Sequence, residues 1–268
     1  MRLDRFLSET TPLTRSLAKR ALKNGEVTLN GEPIKQAATQ VDTENDEVKL
    51  NGERLALVGL RYVMMHKPVD VECTARRGLY PRVIDIIDLP KVERLQPVGR
   101  LDVDTTGLLL LTDDGQWSHR VTSPRHRCAK VYIAELAEPM EGEAAQQAIG
   151  QVAEGILLEG EETPTQPAML RFITPQQAEL TITEGRYHQV KRMFAALGNH
   201  VNALHRRSIG DVLLPDDLAP GEWRELTPEE IASFEATFSV EIPQWTRCPL
   251  RYLVCVKILY FIPLSCFD

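Results

Sequence analysis

Over residues 1–57 the apolar positions first recur at helical spacing and then alternate. Leu3, Phe6 and Leu7 fall at i, i+3 and i+4, the buried stripe of a short helix. Thr14 is placed as the N-cap of a second helix that Asn24-Gly25 closes, with Leu17, Ala21 and Leu22 expected to face inward. Val27-Thr28-Leu29, the pair Asn30-Gly31 and Ile34 then read as a hairpin. After a connector at residues 59–61 the pattern changes. Residues 62–65 form an apolar strand ended by Lys67-Pro68, and 108–111 form a continuous apolar run ended by Asp113-Asp114-Gly115, a buried strand and its turn. Segments 131–136, 170–173 and 178–182 read as further strands. A helix over 188–197 puts Val190, Met193, Phe194 and Leu197 on one stripe with Gly198 as its cap, and Thr227-Pro228-Glu229-Glu230 opens a last helix with a capping box. The expected class is α+β: a small unit at 1–58, then a larger one at 62–236 built on a mostly antiparallel sheet with flanking helices. Residues 237–268 break from both patterns. Within them 251–264 is apolar without periodicity and is interrupted by Lys257 and Pro263, so the segment reads as an atypical, dispensable tail rather than a membrane span.

Composition adds exclusions. The chain has 268 residues, 43% of them hydrophobic and 26% charged, which suits two globular units. Its five cysteines form no CxxC pair and no zinc spacing, and the N-terminus lacks the apolar core of a signal peptide, which points to the cytosol. The phosphate loops GxxxxGK[ST] and GxGxxG are absent, so neither a metal nor a nucleotide cofactor is implied, and a monomer is expected.

A net charge of −7 argues against a nucleic-acid partner until its distribution is read. Residues 115–134 contain Arg120, Arg125, Arg127 and Lys130 and no acid, and 185–210 contain Arg186, Lys191, Arg192, Arg206 and Arg207 and again no acid. The acids gather elsewhere, eight glutamates without a base over 135–162 among them. Such segregation makes a basic cleft on an acidic protein, because a polyanion follows the local field rather than the total charge.

The N-terminal strings RLDRFL and SLAKRALKNGEVTLNGEPIK resemble the S4 RNA-binding domain, which implies that the helix carrying Arg15, Lys19 and Arg20 docks on structured RNA. Gly99-Arg100-Leu101-Asp102 places a carboxylate just before a buried strand and two residues from an arginine, an arrangement open to a nucleophile or a base but also to an ordinary turn. The longer string PVGRLDVDTTGLLLLTDDGQWSHRVTSPRH resembles the catalytic motif of the pseudouridine synthases, in the branch that modifies the small ribosomal subunit. That resemblance implies that Asp102 is the essential carboxylate, Tyr132 the tyrosine that stacks on the target base and serves C5, and Ile182 an apolar residue packed near that base. It also makes Arg100 and Lys191 rival ion-pair partners of Asp102. Helix geometry sets Lys191 at the margin of the apolar stripe and Arg192 opposite it, toward RNA or solvent. Asp104 has no matched role and reads as turn or scaffold. Arg186, His188, Arg192, Arg120 and Arg125 are expected to bind substrate beside the S4 bases. The implied activity is isomerisation of uridine to pseudouridine in 16S rRNA, at uridine 516, on free RNA or a small-subunit assembly intermediate. A synthase for 23S rRNA and a non-catalytic S4-type assembly factor are the alternatives.

Overall fold

The computed structural model describes residues 1–235, so the expected tail lies outside the described residues. Helix α1 (Leu3–Thr10) packs Leu3, Phe6 and Leu7 against Ala18, Ala21 and Leu22 of α2 (Arg15–Asn24). The Thr14 hydroxyl caps α2 by accepting the Leu17 N–H at 3.3 Å, and Gly25, in the left-handed region, closes it. Leu17 itself is exposed, against expectation: the buried stripe is Ala18, Ala21 and Leu22, and with these at i, i+3 and i+4 the preceding position turns outward. Strands β1 (Val27–Leu29) and β2 (Glu32–Pro33) are joined through Asn30 and Gly31, both at positive φ as a type I′ turn requires. Asn51 and Gly52 repeat this device between β3 (Val48–Leu50) and β4 (Glu53–Leu55), and the four strands form one sheet in the order β2-β1-β3-β4.

The larger sheet takes β5 (Tyr62–Lys67), β6 (Gln96–Val98), β7 (Thr105–Thr112), β8 (Lys130–Leu136), β9 (Met169–Thr174), β10 (Gln177–Ile182), β11 (Val201–Ile209), β12 (Val212–Leu213) and β13 (Trp223–Glu225). Its main order is β13-β5-β7-β11-β8-β10-β9, with β6 beside β7 and β12 beside β11; only β7 and β11 run parallel. Both faces are covered, which explains the unbroken leucine run in β7. Leu109 and Leu111 enter the core beneath α4 (Gly142–Glu154) and α5 (Gln189–Ala196), while Leu108 and Leu110 enter the core beneath α3 (Gly115–Thr122) and the last helix α6 (Pro228–Ser233).

Arg61, assigned by its sequence position to the connector, is instead a buried anchor. Its N–H donates to Asp113 Oδ1 at 2.8 Å, and Asp113 Oδ2 also pairs with Arg94 at 3.2 Å. From the larger unit, Lys91 reaches back to donate to the carbonyls of Ser8 and Thr11 at the end of α1.

Strands β7 and β11 approach so closely at Gly107 (φ +107°) that a Cβ there would lie 2.2 Å from the Arg206 carbonyl oxygen and 2.6 Å from its nitrogen. Gly107→Ala is expected to cost on the order of 3 kcal/mol of unfolding free energy, because backbone rather than a flexible side chain blocks the methyl group. Urea denaturation reads this directly, and an unchanged midpoint would mean that the two strands separate freely.

Candidate active site

Asp102 opens a turn at the start of β7, in which the Thr105 N–H donates to the Asp102 carbonyl at 3.0 Å. The turn rests on Lys67, the last residue of β5 and fully buried. Lys67 Nζ donates to the carbonyls of Pro68 (2.7 Å), Thr105 (2.8 Å) and Val103 (3.3 Å), and the Asp70 N–H gives the Val103 carbonyl a second donor at 2.9 Å. Burial lowers the pKa of this ammonium below the usual lysine value, and nearby negative groups, Asp104 and Asp102 among them, oppose that shift.

The Asp102 carboxylate is turned toward α5. Oδ1 lies 3.2 Å from His188 Nε2 and Oδ2 lies 3.2 Å from Lys191 Nζ. Lys191 also meets both oxygens of Asp104, at 2.7 and 2.9 Å. Burial alone would lower the pKa of the Lys191 ammonium, but hydrogen bonding to Asp104 and the charge of Asp102 carry it above the ordinary value; the Lys191 hydrogen bond in turn lowers that of Asp104. The Asp102 side chain is 32% exposed against 71% for Asp104, so the inner carboxylate is the one that faces a partly dry site.

His188 is placed by the turn before α5. It sits in the left-handed region (φ 46°), and buried Gln189 fixes the turn by accepting the Arg186 N–H at 2.8 Å and donating to Glu184 at 2.9 Å. The Tyr187 ring, 76% exposed, stacks on His188 with centroids 3.8 Å apart. These groups border a cavity of about 850 Å³ whose wall includes Tyr132, Ile182 and Arg206. Tyr132 is buried in the middle of β8, and Ile182 ends β10 in register with Lys130.

The structure therefore brings Asp102, Tyr132, Ile182, His188 and Lys191 together around one space. Arg100 borders it too, but the ion pair expected between Arg100 and Asp102 is not made: Arg100 stays exposed, because both carboxylate oxygens are taken by bases from the α5 side. Arg186 and Arg192 are likewise not free for RNA. Arg186 pairs with Glu161 at 3.0 Å and Glu184 at 3.1 Å and donates to the carbonyls of Thr163 and Pro164; Arg192 pairs with Glu161 at 2.8 Å and donates to the Glu159 carbonyl. Glu161 lies in the acid-rich stretch, and no local pattern tells that it folds back over α5. Arg120 lies 3.8 Å from Glu235, whereas Arg125, and Arg15, Lys19 and Arg20 on α2, are exposed and are not among the residues lining the cavity. Sequence reasoning missed Lys67, the tie between Lys191 and Asp104, and Arg206. A lysine closing an apolar strand and the inward alternation of Leu204, Arg206 and Ser208 are the signals that were available.

Residues 61–196 match the family described as RNA pseudouridylate synthase, and residues 1–48 match the S4 domain. The chain belongs to the RNA pseudouridylate synthase family. A Pasteurella multocida (strain Pm70) protein named ribosomal small subunit pseudouridine synthase A is 52% identical to this synthase over 235 residues, covering 87% of the chain and 99% of the relative. The Escherichia coli (strain K12) protein of that name is 49% identical over 234 residues, with the same coverage. A crystal structure of a pseudouridylate synthase aligns with a TM-score of 0.61 at 48% identity, covering 87% of this chain and 99% of that one.

Two outcomes follow from the geometry. Lys67→Met leaves the carbonyls of Pro68 and Thr105 without this donor and should lower unfolding free energy by on the order of 2 kcal/mol, read by denaturant titration; no change would show that the turn holds itself. Lys191→Met should depress turnover far more than Arg192→Met, since Lys191 touches Asp102 whereas Arg192 pairs with Glu161. Equal, small effects on kcat would remove Lys191 from the site.

Proposed function

We propose that the synthase converts uridine to pseudouridine in 16S rRNA of the small ribosomal subunit, at uridine 516, and that Asp102 is the group that acts on the ribose. The observation that carries this reading is the Asp102 carboxylate held between His188 and Lys191 in the wall of a cavity it shares with the Tyr132 phenol. The small-subunit name borne by relatives at 52% and 49% identity supports the substrate class.

Uracil is out of reach inside a stacked RNA helix, so the target nucleotide must turn out into the cavity, and the exposed face of Tyr187 offers a flat surface to a base at its mouth. The N1–C1′ bond then breaks, the base turns while held, and C5 bonds to C1′. Addition of Asp102 to C1′ and removal of the C2′ proton both need an ionised carboxylate, and its two oxygens are each met by a nitrogen, of His188 and of Lys191. Loss of the C5 proton restores the C5–C6 double bond. Tyr132 relays that proton, its hydroxyl oxygen accepting it while the hydroxyl's own proton passes on to water, and Ile182 packs against the ring. Phosphates are met by the exposed bases of α2 and by Arg125, which fits an overall acidic chain with local basic faces.

Asp102→Asn should keep fold and rRNA affinity while abolishing tritium release from C5-labelled uridine in 16S rRNA, because the amide can neither add to C1′ nor take a proton. A loss of several orders of magnitude is the expected scale. Turnover within about tenfold of the parent would be incompatible with the role. Release from 23S rRNA in place of 16S would move the substrate, and none from any rRNA would leave an RNA-binding factor.

A further inference from the structure

Arg206 occupies the middle of β11, opposite Tyr132 of β8 and Gly107 of β7. It is 2% exposed and pairs with no carboxylate among the described residues. Its Nε donates to the Leu108 carbonyl at 2.8 Å and one terminal nitrogen to the Tyr132 hydroxyl at 3.4 Å, while the guanidinium carbon lies over the Tyr132 ring, 5.9 Å from its centroid. The other terminal nitrogen is buried and meets no hydrogen-bond partner among the described residues. A buried, unneutralised guanidinium is costly, and an apolar side chain would suit a wall that also contains Leu204, Ile182 and Ile209. The charge therefore asks for a use that packing does not supply.

Hydrogen-bond chemistry points to that use. Guanidinium is a donor only, so the Tyr132 oxygen must accept from it. No other protein group bonds that hydroxyl among the described residues, so its own proton and its second lone pair are left for whatever fills the cavity. We propose that Arg206 is a positioning residue for Tyr132: it backs the ring, takes one lone pair of the hydroxyl, and so aims the remaining lone pair and proton at the base. The reach of Arg206 is set by the Gly107 contact, which brings β11 against the strand that Asp102 opens.

The inference rests on the pseudouridine synthase reading, and a double-mutant cycle separates the two. Tritium release from C5-labelled 16S rRNA is measured in single turnover for the full-length parent, Arg206→Met, Tyr132→Phe and the double variant, with RNA affinity in parallel. Arg206→Met should slow release by at least about tenfold with affinity unchanged, and should slow it no further once the Tyr132 hydroxyl is gone. Effects that multiply, or an Arg206→Met protein that turns over normally, overturn the inference. A parent that releases no tritium overturns the underlying reading instead. Should Arg206→Met fail to fold, or Tyr132→Phe release nothing, Arg206→Lys decides. It keeps the charge but lacks the fork that serves Leu108 and Tyr132 together, so a fall in kcat at constant KM and affinity supports positioning, and an unchanged kcat or a change carried by KM sinks it.

Discussion

Beneath the turn that carries Asp102, the Lys67 ammonium makes no ion pair among the described residues and is solvated by main-chain carbonyls of Pro68, Val103 and Thr105. Burial makes that ammonium costly, and the cost is offset only while those carbonyls converge on it. The turn therefore cannot relax without stranding a charge. Because the turn is fixed, the carboxylate of Asp102 has one direction in which to find bases, and the start of α5 supplies both, His188 from the turn before the helix and Lys191 from its first turn.

The sheet supplies the second constraint. Burial on both faces fixes which leucines of β7 point where, and the single parallel pair, β7 with β11, is pressed together at Gly107. That closeness puts Arg206 behind Tyr132, while the turn of Asp102 leads into β7. Around the cavity, opposite charges are divided between roles. Lys191 joins Asp102 to Asp104, whereas Arg186 and Arg192 use Glu161 and the carbonyls of Glu159, Thr163 and Pro164 to bind that segment to the turn and helix that present His188.

Local signals were readable where the cause is local. Thr14, Gly25, Asn30-Gly31 and the Thr227 capping box sit at the element ends the sequence assigned them, because caps and tight turns depend on a few adjacent residues. Asn51-Gly52 carries the same signal and went unread. The α+β class followed from strand and helix periods, and the family from the string around Asp102 together with the N-terminal S4 strings. Partner choice was not legible. Arg100 is two residues from Asp102 yet loses it to His188 and Lys191, more than eighty positions on in the chain, and Arg192 loses solvent to Glu161. Leu17 shows the same limit on a smaller scale, since a helix with several apolar residues does not say which of them its neighbour will cover.

At the end of α1 the carbonyls of Ser8 and Thr11 accept from an ammonium across the connector, on Lys91, whose backbone is left-handed (φ 54°). The negative end of a helix is thus neutralised by the other unit. That one side chain pins the end of α1 to the larger unit, so the S4 unit and the unit that holds the cavity are joined by a contact as well as by the connector.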